Sequence, residues 1–327
     1  MHKLISAFLV FTIIACNNAG TEEDGILWEP PFEKITDSIS KDSKEAGLYY
    51  RRGTLLYTNG QIEFAAKDLR TAWQLQPTEE HALRFTTILR ERSTDTAIAF
   101  LQDAVKRLPE SISLKILLAK GYESKKEIGK ALAVCEDIIS NYPSQLDALI
   151  LKSELLKKQN KNGEALTVLE TAYSFAPGDV DLVHSLAFEY AEAKNPKALR
   201  LSDSLIKADV EQKHAEPYYF KGLYYENTGK YSDAIKFFDD AIRHNYNFMD
   251  AHMDKGQTYF LQKKYEDALK TFQLATTVFR TEALPYYWLA KTQEAMGNTA
   301  EAKLNYLRAF GLDKTLTEAK EAADNIK

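Results

Sequence analysis

Cysteine is almost missing from this chain: only Cys16 and Cys135 occur in 327 residues. Neither a disulfide framework nor a cysteine-built zinc site can be assembled, so packing alone must hold the fold. Basic excess is missing too. Lys and Arg total 42 against 47 Asp and Glu, a net charge of −5, which excludes the electrostatic footprint of a nucleic-acid binder. The mostly apolar stretch from Leu4 to Ile14 falls well short of the ~20 residues that span a bilayer as a helix. His81, His184, His214, His244 and His252 show no metal-ligand spacing, and no glycine-rich phosphate loop or G-x-S-x-G elbow occurs. Catalysis, a metal and a cofactor are therefore not expected.

What is present is ample apolar material, 45% of residues against 27% charged. That suits about two compact domains or one elongated array and excludes a disordered chain. At the start, His2 and Lys3 precede the apolar stretch, the layout of a secretory signal peptide. The sequence Ile13-Ile14-Ala15-Cys16 that closes it resembles the lipobox of bacterial lipoproteins. The resemblance implies removal of residues 1–15 and acylation of Cys16 by several chains of the palmitate type, since one chain alone binds membranes only marginally. Asn17 rather than Asp after the cysteine implies the outer membrane. Residues 16–31 read as a flexible acylated tether, and Glu22-Glu23-Asp24 resembles the acidic tag of surface-exported lipoproteins, leaving a periplasmic or a surface-facing position open.

Beyond the tether the chain repeats itself. Gly222, Tyr225, Tyr231, Ala234, Phe238 and Ala241 recur 34 residues later as Gly256, Tyr259, Tyr265, Ala268, Phe272 and Ala275, and Ala290, Gly297, Ala302, Tyr306 and Ala309 continue the series. The small slot of the first helix reads Gly53, Phe85, Ala119, Ser153, Ala187, Gly222, Gly256, Ala290. The alanine slot of the second reads Ala65, Ala97, Ala131, Ala165, Ala198, Ala234, Ala268, Ala302. Close helix crossing leaves room only for small side chains there. Pro77, Pro109, Pro143 and Pro177 should stop the first four second helices.

This pattern resembles the tetratricopeptide repeat. The resemblance implies an all-α, right-handed superhelical solenoid of about eight helix-turn-helix repeats over residues 46–314. An N-terminal capping helix at 32–45, marked by Phe32, Ile35 and Ile39, and a C-terminal one at 315–327 would close its ends. Phe85 is bulky where a small residue is expected and Ser202 polar where an apolar one is, so the second and fifth repeats should be irregular. Turn formers around 194–197 and 209–217 bracket the second helix of the fifth repeat, so a joint, if the solenoid has one, falls there.

In this family the first helices line a concave channel. Their inward aromatic and apolar positions are Tyr50, Tyr57, His184, Phe188, Tyr219, Met253, Phe260 and Tyr287, candidate anchors for a protein or peptide segment. Cys135 falls in a packing slot, the setting of an inert thiol. The lysine-and-asparagine clamp of co-chaperone members is not built here, because Tyr50, Thr54 and Lys120 or Tyr219, Leu223 and Lys291 stand in its places. The expected role is a protein-binding scaffold, lipid-anchored to the outer membrane, in an envelope assembly, secretion or motility complex. The alternative is a carbohydrate-capture lipoprotein serving an outer-membrane transporter, with the same aromatics stacking on sugar rings.

Overall fold

The computed structural model describes residues 22–211 and 213–326. Cys16, the signal peptide and the first part of the tether lie outside the described residues. The chain divides into two compact units, residues 1–138 and 139–327, and all regular structure among the described residues is helical.

The first unit opens with a short 3-10 helix, Glu22–Trp28, where the sequence suggested a tether. There follow α1 (Glu33–Lys41), α2 (Ala46–Thr58), α3 (Ile62–Leu75), α4 (Glu79–Arg92), α5 (Thr94–Arg107), α6 (Ile112–Ser124) and α7 (Ile128–Asn141), within which the division falls. The second unit continues with α8 (Leu146–Lys158), α9 (Asn162–Phe175), α10 (Val180–Glu192), α11 (Lys197–Ala208), α12 (Glu216–Asn227), α13 (Tyr231–His244), α14 (Met249–Leu261), α15 (Tyr265–Val278), α16 (Ala283–Ala295), α17 (Thr299–Leu312) and α18 (Thr317–Asn325). From α2 to α17 these form eight pairs, each a first helix and a second.

The pairs form because small residues let two backbones approach. Gly53, Gly222 and Gly256 are buried on their first helices. A Cβ at Gly222 would stand 2.5 Å from the Phe238 ring, and one at Gly256 2.4 Å from that of Phe272. Where the second helix carries a smaller side chain, Cys135 or Ser202, the first carries alanine instead, Ala119 or Ala187. The eight slot alanines on the second helices are all buried.

Turns follow the same register. The residue in the left-handed region between first and second helix is Gly60, Lys126, Asn160, Lys194, Gly229, Lys263 or Gly297 in seven of the pairs. The exception is the second pair, where Ser93 alone both ends α4 and caps α5, accepting from the Thr96 N–H. Pro77, Pro109, Pro143 and Pro177 each follow the last residue of α3, α5, α7 and α9 by two positions, as expected of a residue that cannot donate the next helical bond.

Both ends are closed. Phe32, Thr36 and Ile39 are buried, and the Thr36 hydroxyl donates to the Leu27 carbonyl. Arg52 on α2 grips Asp68 of α3 with two hydrogen bonds, 2.6 and 2.8 Å, and donates a third to Thr36. This buried fork ties α1 to the first pair. At the other end Ala319, Ala323 and Ile326 bury against Tyr286, Ala302 and Tyr306.

The irregularities fall partly where expected. Phe85 is accommodated because α4 packs less closely on α5 than α2 does on α3, its ring meeting Phe100 edge-on at 4.9 Å. A joint at the fifth repeat is not found: one apolar cluster runs from Leu149 on α8 through Leu186, Ala187 and Tyr190 to Leu223 on α12. The division lies instead inside α7. Turn formers lengthened the 209–215 connection without interrupting the core.

Candidate functional site

In the first unit, Tyr50 on α2 is half-buried, its ring 5.0 Å from that of His81. Tyr57, about two helical turns further, donates its hydroxyl to Glu91 of α4. Burial, followed by hydrogen bonding to Glu80, raises the Tyr50 hydroxyl above its usual range; at Tyr57 the Glu91 bond is the leading cause of the same shift. Both side chains bridge successive first helices.

The second unit carries a denser first-helix face. On α10, His184 and Phe188 meet Phe220 of α12 edge-on at 5.9 and 5.8 Å. Burial holds the His184 imidazole below its ordinary pKa, favouring the neutral ring. Further along, Phe260, Tyr287 and Trp288 form a half-buried aromatic group, with the Lys291 ammonium 4.6 Å from the Trp288 ring centroid. A cation held over aromatic faces beside open ring edges suits contact with another chain.

Between them lies a carboxylate group. Tyr219 of α12 donates to Asp254 of α14 at 2.7 Å, and Thr258 of α14 donates back to Glu226 of α12 at 2.6 Å. Burial, reinforced by the negative charges of Glu226, Asp250 and Glu192, pushes Asp254 up to about 7 against the opposing Tyr219 bond. Burial also raises Glu226, which Thr258 partly offsets, and drives the Tyr219 hydroxyl far upward. This surface therefore carries carboxyl groups whose pKa values are raised first by burial and then by neighbouring negative charge.

One sequence-derived anchor needs correction, and a second has a double role. Met253 is 4% exposed and packs with Phe272 and Leu289, so it belongs to the core. Its half-buried neighbour Asp254, rather than Met253, reaches the preceding first helix, where it accepts from Tyr219. Tyr219 is half-buried, its ring 5.8 Å from Phe238 and 5.0 Å from Phe248, which makes it a packing residue as well as a lining one. Cys135 is a buried free thiol. Among the described residues no three His, Cys, Asp or Glu side chains cluster as metal ligands, and no helix is long and apolar enough to cross a membrane.

A tetratricopeptide repeat family model matches residues 219–287 and a second matches residues 283–316. Residues 219–316 are tetratricopeptide repeats, and the helix pairs before them share the fold. No curated protein matches it in sequence. Among solved structures, a tetratricopeptide repeat protein from Parabacteroides merdae is similar at TM-score 0.56 and 14% identity, over 85% of this chain and 97% of its own. PilW, a widely conserved type IV pilus biogenesis factor, is similar at 0.52 and 17% identity, over 63% and 95%. A chain of the Cut9–Hcn1 hetero-tetramer of the APC/C reaches 0.50 at 14% identity, over 91% of this chain and 60% of its own. At such identities these likenesses show the fold alone. Within the tetratricopeptide repeats of the second unit, first-helix residues bridge neighbours at sequence separations near the repeat length: 32 for Lys157 and Glu189, 35 for Tyr219 and Asp254. Asp254, Thr258 and Trp288 were missed from sequence; the i, i+4 pairing of Asp254 with Thr258 was the signal that could have found the first two.

Proposed function

We propose that this chain is a protein-interaction scaffold, anchored by acylated Cys16 to the outer membrane, that holds a protein or peptide segment on its first-helix face within an envelope assembly, secretion or motility complex. The observation that carries the binding part is the group formed by Phe260, Tyr287, Trp288 and Lys291, half-exposed on α14 and α16. Large aromatic rings in fixed orientations bind at low entropic cost and dominate interface energies. Glu226 and Asp254 beside them add acceptors for a donor-rich segment. The fold similarity to PilW agrees with an envelope role, and the lipobox-like residues support the anchor.

The test is affinity capture from detergent-solubilised envelopes with three forms of the full chain: wild type, Phe260→Ala with Tyr287→Ala, and Cys16→Ser. Tyr219 is left unchanged because its ring holds the core. The scaffold reading expects one discrete protein partner, lost from the double variant while that variant keeps its helical content and a cooperative unfolding transition. It expects Cys16→Ser to appear in the soluble fraction. A partner retained by the folded double variant would refute the face assignment, and a membrane-bound Cys16→Ser protein would refute the anchor.

A further inference from the structure

The aromatic group on α14 and α16 continues into a run of acids on the preceding first helices. Successive repeats place Glu192, Glu226 and Phe260 at one position of α10, α12 and α14, 34 residues apart, and Asp254 and Trp288 at a second position of α14 and α16 with the same spacing. A segment lying along these first helices passes from carboxylates on α10, α12 and α14 to half-buried rings on α14 and α16. The carboxylates have no counter-charge of their own. No lysine or arginine occurs on α10, and the lysines of α12 and α14 turn instead to second helices, Lys221 to Asp203 of α11 and Lys255 to Asp239 of α13, each at 2.6 Å. Lys291 of α16 is held over the Trp288 ring. Among the described residues none of Glu192, Glu226, Asp250 and Asp254 makes an ion pair.

The donors that do reach this run are neutral. The Tyr219 hydroxyl donates to Asp254 Oδ2 and the Thr258 hydroxyl to Glu226 Oε1. Asp254 Oδ1 and Glu226 Oε2 are left without a donor among the described residues, and neither oxygen is sealed from solvent. Partly buried carboxylates are costly to ionise without a counter-charge, and both carboxyls are raised accordingly. The complement this surface calls for is a positive group that donates to two open oxygens while its carrier covers the rings of Phe260 and Trp288. A guanidinium or ammonium on an aliphatic stem meets both demands.

We propose that the segment held by the first-helix face is cationic, a stretch whose lysine or arginine places its charge on Glu226 and Asp254 and whose apolar neighbours cover Phe260 and Trp288. The proposal rests on the scaffold reading and names the chemistry of its partner. Selection of random short peptides displayed on phage against the full wild-type chain tests it, with the folded Phe260→Ala, Tyr287→Ala chain as counter-target. Peptides that bind the wild type and not the double variant are expected to carry net positive charge. A synthetic copy of the strongest should bind about tenfold more tightly than its neutral form, with lysines acetylated and arginines replaced by citrulline. Glu226→Gln with Asp254→Asn, whose amide oxygens still accept from Thr258 and Tyr219, should weaken the charged peptide by about the same factor and leave the neutral form unaffected. Glu192→Gln, an exposed substitution, should weaken the charged peptide by a smaller factor. Face-dependent peptides without positive charge, or undiminished binding of the charged peptide to the amide variant, would overturn this inference and leave the scaffold reading standing. Absence of any face-dependent peptide would overturn both.

Discussion

At the scale of single residues, stability rests on side chains that are small because a neighbour is large. Gly256→Ala would push a methyl group into the Phe272 ring, and the expected loss is ~1–3 kcal/mol despite alanine's higher helix propensity. Gly163→Ala, at a helical position with nothing within 4 Å, should instead gain about 0.5 kcal/mol; urea unfolding of the two variants checks both signs. Asp254 gives a second expectation. Its carboxyl binds a proton more tightly in the folded chain, up to about 7, than in the unfolded one, near 3.9. The stability it contributes is full below the unfolded value and is lost as pH climbs to about 7. Asp254→Asn should therefore gain on the wild type, by on the order of 2 kcal/mol, when urea unfolding is moved from pH 4 to pH 8. A difference that stays flat with pH would contradict the burial argument.

Elements were largely legible because their signals are local. Alanine spacing, prolines and the Phe32, Ile35 and Ile39 triplet each report on a few adjacent residues, and α1, the eight pairs and α18 formed where those signals stood. The 3-10 helix at Glu22–Trp28 was not legible: its order comes from tertiary contacts of Ile26, Leu27 and Phe32 with the first pair, which a polar, glycine-containing segment does not advertise. The place of Met253 on α14 was misjudged for a related reason, since apolar type alone does not distinguish a groove from a core. Turns offer a test at this scale. Lys263 adopts φ +60° where Gly60, Gly229 and Gly297 occupy the same turn. The left-handed conformation costs a side chain ~1 kcal/mol, so Lys263→Gly should raise stability by about 0.5 kcal/mol after the entropic loss of added backbone freedom. Thermal unfolding reads the sign directly, and a lowered midpoint would count against the turn argument.

At the scale of the molecule, repetition assigns one chemistry to each side of the helix pairs. First helices of neighbouring repeats exchange hydrogen bonds and ring contacts, Tyr57 with Glu91 in the first unit and Tyr219 with Asp254 in the second, and they present the aromatic and carboxylate groups. Second helices carry exposed leucines such as Leu274 and Leu304. The proposed occupant of the first-helix face was not legible in the sequence, because recognition depends on the partner's surface as much as on this one. Placement of the bound segment is open to direct measurement by incorporating a photo-crosslinking amino acid at Gln257 on α14 or, in a second protein, at Leu274 on α15. Irradiation in intact cells is expected to yield one discrete adduct from Gln257 and none from Leu274; an adduct from Leu274 with none from Gln257 would contradict the account.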